Sequence, residues 1–280
     1  MKNNSEWQPL GSSIEDILAQ ENDPLQALSE GRIPAIICRQ AYPRKDCQML
    51  IDRFIERGLI RDPSDTNQGA SVKRTRIDIG TSLANLGSNK ESFLEHAAGT
   101  HNLYETLFKG YEDPIKLLYG TLDTLARSKR VMTAREPDGR QYGPAIFRVH
   151  YGGHTYLPHI DHVTLREKRF DYAVTRFSDQ FAGVLCFQNA TYEGSSTQAI
   201  LHNCLWNPDV EEYIVTNTFH EYARRNNISN YTVNLEQGDL YFFNTRLIHE
   251  VPAVLGDAPR IVLATFIGYS QEDDEIYVWS

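Results

Sequence analysis

From Ala145 onward the chain is a succession of short β-branched and aromatic runs broken by Gly, Asn and Asp. They are Ile146–Tyr151, Thr155–His159, Phe181–Gln188, Gln198–Leu205, Asp239–Phe243, Ile248–Val254 and Arg260–Tyr269. Many strand-length segments punctuated by turn residues predict a β-sandwich or jelly roll. The first half follows a different period. A helix is expected after Pro43, with Met49, Leu50, Phe54 and Ile55 at helical spacing and Gly58 as its stop. Two more are expected from Asn89 to Phe108 and from Asp113 to Ser128, the latter with Ile115, Leu118, Leu122 and Leu125 as its apolar stripe. A short helical patch (Ile14, Ile17, Leu18), a strand from Gly31 to Cys38 and a polar loop from Asp62 to Gly69 complete that half. Helices followed by strands predict an α+β fold. With no repeat or Gly/Ser/Pro-rich linker, residues 1–280 read as one domain, 1–140 mainly helical support and 141–280 mainly β core.

Charge narrows the partners. With 28 Lys+Arg against 37 Asp+Glu the net charge is −9, and the basic residues sit scattered or beside acids, so no stripe exists to displace counterions from nucleic acid or to meet an anionic membrane. No apolar run approaches a membrane span, and Met1–Glu6 lacks a signal-peptide core, so a cytoplasmic protein is expected. Cys38, Cys47, Cys186 and Cys204 contain no C-x-x-C and read as reduced, buried thiols.

Histidine carries the chemistry. His150, His154, His159 and His162 crowd into thirteen residues. Only His159 has a carboxylate two positions later, Asp161, and a period of two puts both side chains on one face of a strand. His249 follows in another predicted strand. Two neutral imidazoles and one carboxylate on one face of an octahedron form the facial triad of non-haem Fe(II) oxygenases, which leaves three positions open. By itself an H-x-D is common, and a strand histidine is more often a hydrogen-bonded residue than a ligand. Arg260, eleven residues after His249 where a turn enters the last long strand, strengthens the pattern, because a guanidinium fork clamps a carboxylate co-substrate bidentately. His162 reads as a neighbouring group or a loop residue, His150 and His154 as flanks of a Gly152-Gly153 turn, and His202 and His220 as structural or exposed. Trp206 reads as core, with an indole N–H able to donate to a carboxylate.

With these residues in place, the chain resembles the Fe(II)/2-oxoglutarate-dependent oxygenases, and within them the hapalindole-type, carrier-protein-independent halogenases and the N-substituted amino-acid hydroxylases. The resemblance rests on Ala199–Pro208 with Trp206, on Gly238–Asn244, on the turn Gly256–Arg260 and on the C-terminal Ile276–Ser280. It implies a double-stranded β-helix, the jelly-roll or cupin-like core, with helices packed on it. It also implies Fe(II) held by His159, Asp161 and His249, with 2-oxoglutarate and O2 as co-substrates. Arg260 matches the arginine that binds the distal carboxylate of 2-oxoglutarate, and Arg148, Tyr151 and Trp206 match positions near the co-substrate. One position departs from the halogenases, which have glycine where this chain has Asp161. That glycine opens a halide site on iron, so its replacement by a carboxylate implies hydroxylation of an unactivated C–H bond, with succinate and CO2 as co-products.

The expected substrate is a small molecule such as an amino-acid derivative or a specialised metabolite. Phe170, Tyr172, Phe177, Phe181 and Tyr192 are candidates to line its pocket, with core packing as the alternative. The segment from Leu165 to Gln180, with Arg166, Lys168, Arg169 and Arg176, is a candidate lid for an anionic substrate, or else a solvated loop. Desaturation, cyclisation, epimerisation or halogenation from the same class, and a non-catalytic cupin-like module that binds zinc, are the competing expectations.

Overall fold

A computed structural model describes residues 7–61 and 75–280; the loop expected at 62–69 lies outside the described residues. The chain runs β1 (Leu10–Ser12), α1 (Ile14–Gln20), α2 (Pro24–Ser29), β2 (Ile36–Cys38), α3 (Arg44–Glu56), β3 (Arg76–Gly80) and α4 (Leu83–Leu86). Helices α5 (Lys90–Leu107) and α6 (Pro114–Ala126) lead to β4 (Arg130–Thr133), β5 (Ile146–His150) and β6 (Tyr156–His159). Next come β7 (Asp179–Gln188), β8 (Thr191–Tyr192), β9 (Ser195–Ser196), β10 (Ala199–Leu205), α7 (Pro208–Val215) and α8 (Phe219–Arg225). The chain closes with β11 (Asn230–Val233), β12 (Leu240–Asn244), β13 (Leu247–Val251), β14 (Arg260–Tyr269) and β15 (Glu275–Trp279).

Among the described residues two sheets dominate. The larger has the order β1-β2-β12-β7-β14-β15-β4, with β5 also paired to β14 and β3 to β5. The smaller has the order β11-β10-β13-β6. The alternation of β7 shows how the layers are built. Phe181, Leu185 and Phe187 face the helices, where they meet Leu50 and Phe54 of α3, Leu107 of α5 and Leu118 and Leu122 of α6. Ala182, Val184 and Cys186 face the other way, towards Ala199, Leu201 and Val233 of the small sheet. Bulk therefore goes to the helical side, where each fully buried Leu or Phe contributes roughly 1.5–3 kcal/mol relative to exposure. The small side chains are left between the sheets, where space remains.

The long helices form where their signals predict. Asn89 caps α5 by accepting from the Ser92 N–H, and Asp113 caps α6 by accepting from Ile115 and Lys116 with Pro114 in the first turn. In α3 the buried stripe is Cys47, Leu50, Ile51 and Phe54, one position out of phase with the Met49 and Ile55 expected from spacing. The strand expected from Gly31 shortens to Ile36–Cys38, because Gly31 adopts φ +67° and Pro34 has no N–H for a ladder. Strands β1 to β4 of the first half join the large sheet, and α7 and α8 interrupt the second half, so the halves are less separate than expected. Among the described residues no helix is long and apolar enough to cross a membrane.

Candidate metal centre and cavity

His249 of β13 sits opposite His159 of β6 in antiparallel register, so two imidazoles ninety positions apart meet on the inner face of the small sheet. Their ring centroids are 4.2 Å apart. Strand β6 ends at His159, and the chain continues so that the Asp161 N–H donates to the Thr245 carbonyl and the carboxylate turns back towards both rings. Asp161 Oδ2 lies 3.7 Å from His159 Nε2 and 3.5 Å from His249 Nε2.

The second nitrogen of each ring settles its tautomer. His159 Nδ1 lies 2.7 Å from the Leu157 carbonyl and His249 Nδ1 2.8 Å from the Leu247 carbonyl. A carbonyl only accepts, so both Nδ1 atoms carry the proton and both Nε2 atoms aim a lone pair at the same point. All three ligand atoms lie within 4.8 Å of one another. Octahedral bonds near 2.1 Å place neighbouring donors about 3 Å apart. The Asp161 separations of 3.5 and 3.7 Å exceed this by about 0.5–0.7 Å, within the reach of small side-chain rotations, so these residues fit a divalent metal. Burial pushes the Asp161 carboxyl up, but the two imidazoles outweigh it and hold it well below the usual carboxylate range. Burial, with His159 beside it, pushes His249 down, which favours the neutral ligating form. The other Asp161 oxygen accepts from Arg166 at 2.8 Å. Arg166 also donates to the Ile160 carbonyl, which fixes the guanidinium behind the carboxylate.

Beyond these donors opens a cavity of about 420 Å³. Its walls are the small inward residues of the sheets, Ala182, Val184, Ala199, Val262 and Ala264, with Tyr156, Tyr241 and Phe243 as aromatic surfaces. Arg260 at the head of β14 is 4% exposed, its Nε has no partner, and no carboxylate pairs with it among the described residues. It donates from Nη1 to His150 Nδ1 at 3.5 Å, and His150 Nε2 in turn meets the Tyr156 hydroxyl at 3.2 Å. Burial, with Arg260 next, drives His150 far below its ordinary value, so the ring is neutral and serves as an acceptor for the guanidinium. A buried guanidinium without an acid among the described residues, at the wall of a cavity, has the chemistry to receive a carboxylate.

Arg148, two positions before His150 on β5, also lines this cavity and has the Tyr156 hydroxyl at 3.5 Å. Two other expected residues lie elsewhere. Tyr151 packs against the helix-side core and accepts from the Arg61 N–H, since one step past His150 reverses the face. Trp206 lies past the end of β10, packs with the outer cluster around Val210 and Phe219, and donates to Glu211. Of the proposed lining aromatics, Tyr172, Phe177 and Phe181 are core residues, and Phe170 and Tyr192 are exposed. Arg166 and Arg169 of the proposed lid reach the cavity, whereas Arg176 pairs with Asp273 and Glu275. His162 is buried, and its Nδ1 accepts from Thr164 within its own turn. Tyr156 and His150 are the cavity residues the sequence reading missed, and Arg166, expected in a lid, instead holds the Asp161 carboxylate; the alternation from Arg148 to His150 is the signal that points to one of them.

A family model described as carrier-protein-independent halogenase WelO5 matches residues 10–280. No curated protein matches the chain. Among solved structures, an N-substituted L-amino acid dioxygenase from Burkholderia ambifaria AMMD superposes with a TM-score of 0.60 at 13% identity, covering 91% of this chain and 90% of that one. The same dioxygenase in complex with alpha-KG gives a TM-score of 0.58 at 12% identity, with coverage of 91% and 90%. These likenesses extend over the fold as a whole.

Proposed function

Because the chain belongs to the family of the carrier-protein-independent halogenase WelO5, we propose that it is an Fe(II)/2-oxoglutarate-dependent oxygenase that hydroxylates an unactivated C–H bond of a small molecule. The observation that carries the hydroxylase reading is Asp161. Its carboxylate lies 3.5–3.7 Å from both ligand nitrogens, at the position where the halogenases resembled by this sequence have glycine. The strand order β5-β14-β7-β12 facing β6-β13-β10-β11 supports reading the core as a double-stranded β-helix and the whole chain as one domain.

Bound Fe(II), with 2-oxoglutarate and O2, supplies the oxidising power for C–H cleavage, with succinate and CO2 as co-products. The protein's own part is positional. His159, Asp161 and His249 hold the metal on one side and leave the cavity side open. Arg260 receives the distal carboxylate of the co-substrate, its guanidinium oriented by the His150 ring. Tyr241, Phe243 and Val262 line the cavity and keep water away from the reacting atoms. Arg148, without an acidic partner among the described residues, suits a substrate that carries a carboxylate. An N-substituted amino acid, the class named for the dioxygenase with the same fold, is the first substrate to try.

Anaerobic addition of Fe(II) and then 2-oxoglutarate is expected to produce the weak visible charge-transfer band of an iron–keto-acid chelate; no band from metal-loaded protein would sink the oxygenase reading. Asp161→Gly is expected to lose most hydroxylation and to open a position for chloride. An unchanged hydroxylation rate would remove Asp161 from the ligand set. Family membership favours halogenation as the second reading, and chlorinated product from the wild-type chain would establish it.

A further inference from the structure

The outer face of the small sheet holds a second group of two imidazoles and a carboxylate. Along β13, His249 and Val251 point into the cavity, so Ile248 and Glu250 point out, where Ile248 packs with Val210, Phe219 and Ala223 of the two short helices. His202 of β10 shares this outer face, with the Phe219 ring 5.0 Å away. His220 of α8 closes the group from above. Glu250 Oε1 lies 2.9 Å from His202 Nε2, and Oε2 lies 3.3 Å from His220 Nε2. One ligand atom from each residue lies within 4.8 Å of the other two.

Hydrogen bonding within the trio leaves one need unmet. The Glu250 side chain is 13% exposed, and among the described residues its only ionic partners are these two imidazoles. A carboxylate this far out of water calls for a compensating cation, and no Lys or Arg supplies one. His202, with its side chain 4% exposed, presents Nε2 to the trio and shares that buried position with Glu250. The spacing suits an ion, because tetrahedral bonds near 2.05 Å set donors about 3.3 Å apart. Two imidazoles and a carboxylate favour a borderline divalent ion over a hard one such as Mg²⁺.

We propose that His202, His220 and Glu250 bind a zinc-class divalent ion, with solvent completing its coordination on the side of His220, whose side chain is 53% exposed. The ion clips α8 to β10 and β13 behind the strand that carries His249. The inference is independent of the reading of the cavity.

Metal-stripped full-length protein is dialysed against Zn²⁺ and its bound metal counted by mass spectrometry. Wild type is expected to hold two equivalents. The inner variant His159→Ala/Asp161→Ala, which leaves a single imidazole there, is expected to hold one, His220→Ala one, and the combined variant none. His220 is exposed, so its removal leaves the core intact; circular dichroism checks this, and Glu250→Gln is expected to weaken the same equivalent at least tenfold. If the combined variant keeps the ion that His159→Ala/Asp161→Ala holds, or if His159→Ala/Asp161→Ala holds none, the outer site is overturned. A single wild-type equivalent that disappears in His220→Ala would support the outer site and count against the inner one.

Discussion

His249 and Glu250 are neighbours in one strand, and each completes a group of two histidines and one acid, the first inside the sheets and the second outside them. The inner group has its geometry imposed from behind. Backbone carbonyls hold both Nδ1 atoms and Arg166 holds the spare carboxylate oxygen, so the metal-facing atoms compete with nothing. In the outer group the carboxylate meets both imidazoles directly, and one ring nitrogen has no partner at all. The surroundings differ as well, since only the inner donors share their space with a buried arginine and a wall of small residues. A donor trio becomes a reactive centre where its orientation is supplied from outside the trio and where room is left for two more molecules. The outer trio has donors but no such room, which fits a structural ion.

His249→Ala tests the inner half of this comparison most severely. It removes a ligand that is also the register partner of His159, so co-substrate-dependent turnover and the charge-transfer band should both disappear. Retention of the band would show that the metal sits elsewhere. Arg260→Ala comes next. It deletes the only receptor proposed for the distal carboxylate, and losing two charge-assisted hydrogen bonds should raise the KM for 2-oxoglutarate on the order of 100-fold. Arg260→Lys should recover part of this, and an unmoved KM would place the co-substrate away from β14. Arg166→Ala removes support rather than a ligand, so metal affinity should fall roughly tenfold with the fold intact, as for other groups that orient ligands from behind. Isothermal titration with Fe(II) under argon reads this directly, and equal affinity would show that Arg166 does not position Asp161.

The two groups also differ in how far the sequence announces them. His159 and Asp161 are visible because a spacing of two within a strand needs no knowledge of the fold, and Arg260 because a turn followed by a strand places it. Their meeting with His249 depends on the register of β6 against β13, which is long-range and has no local signature. Tyr151 and Arg148 show the same limit on a smaller scale: both fall in one strand-like run, and only the alternation assigns Arg148 inward and Tyr151 to the helix side. Trp206 lies beyond the point where the pairing of β10 with β13 shifts, so counting along the strand no longer predicts its direction. The outer trio draws on three elements, one of them the seven-residue α8, too short for a periodic pattern. The sequence reading expected no helix there; in the structure Asn207 caps α7 by accepting from the Asp209 N–H with Pro208 in the first turn, and the packing that brings His220 over Glu250 has no local signal.

The smallest expected effect is on stability, and it too separates the inner side. Burial pushes His150, His249 and His162 all below the ordinary histidine value, His162 to about 4. The unfolded chain titrates these rings near 6.5, so between about 6.5 and the folded values it binds protons that the native protein refuses. Stability is therefore lost as pH falls through that window, by at most about 1.4 kcal/mol per pH unit for each ring. Asp161 adds to the loss only at lower pH, since its depressed carboxyl stabilises the fold above the unfolded carboxylate value near 3.9 and stops doing so as it protonates. Urea unfolding of the metal-free protein at pH 7, 6 and 5 should show this decline above the range in which Asp161 titrates. His162 is the ring to remove, because it is buried in its own turn and lines neither group. His162→Gln should flatten the slope between pH 6 and 5 by about one ring's share. A slope that does not change would mean that His162 takes up its proton in the folded state as readily as in the unfolded one, and would return the acid sensitivity to the rings at the cavity.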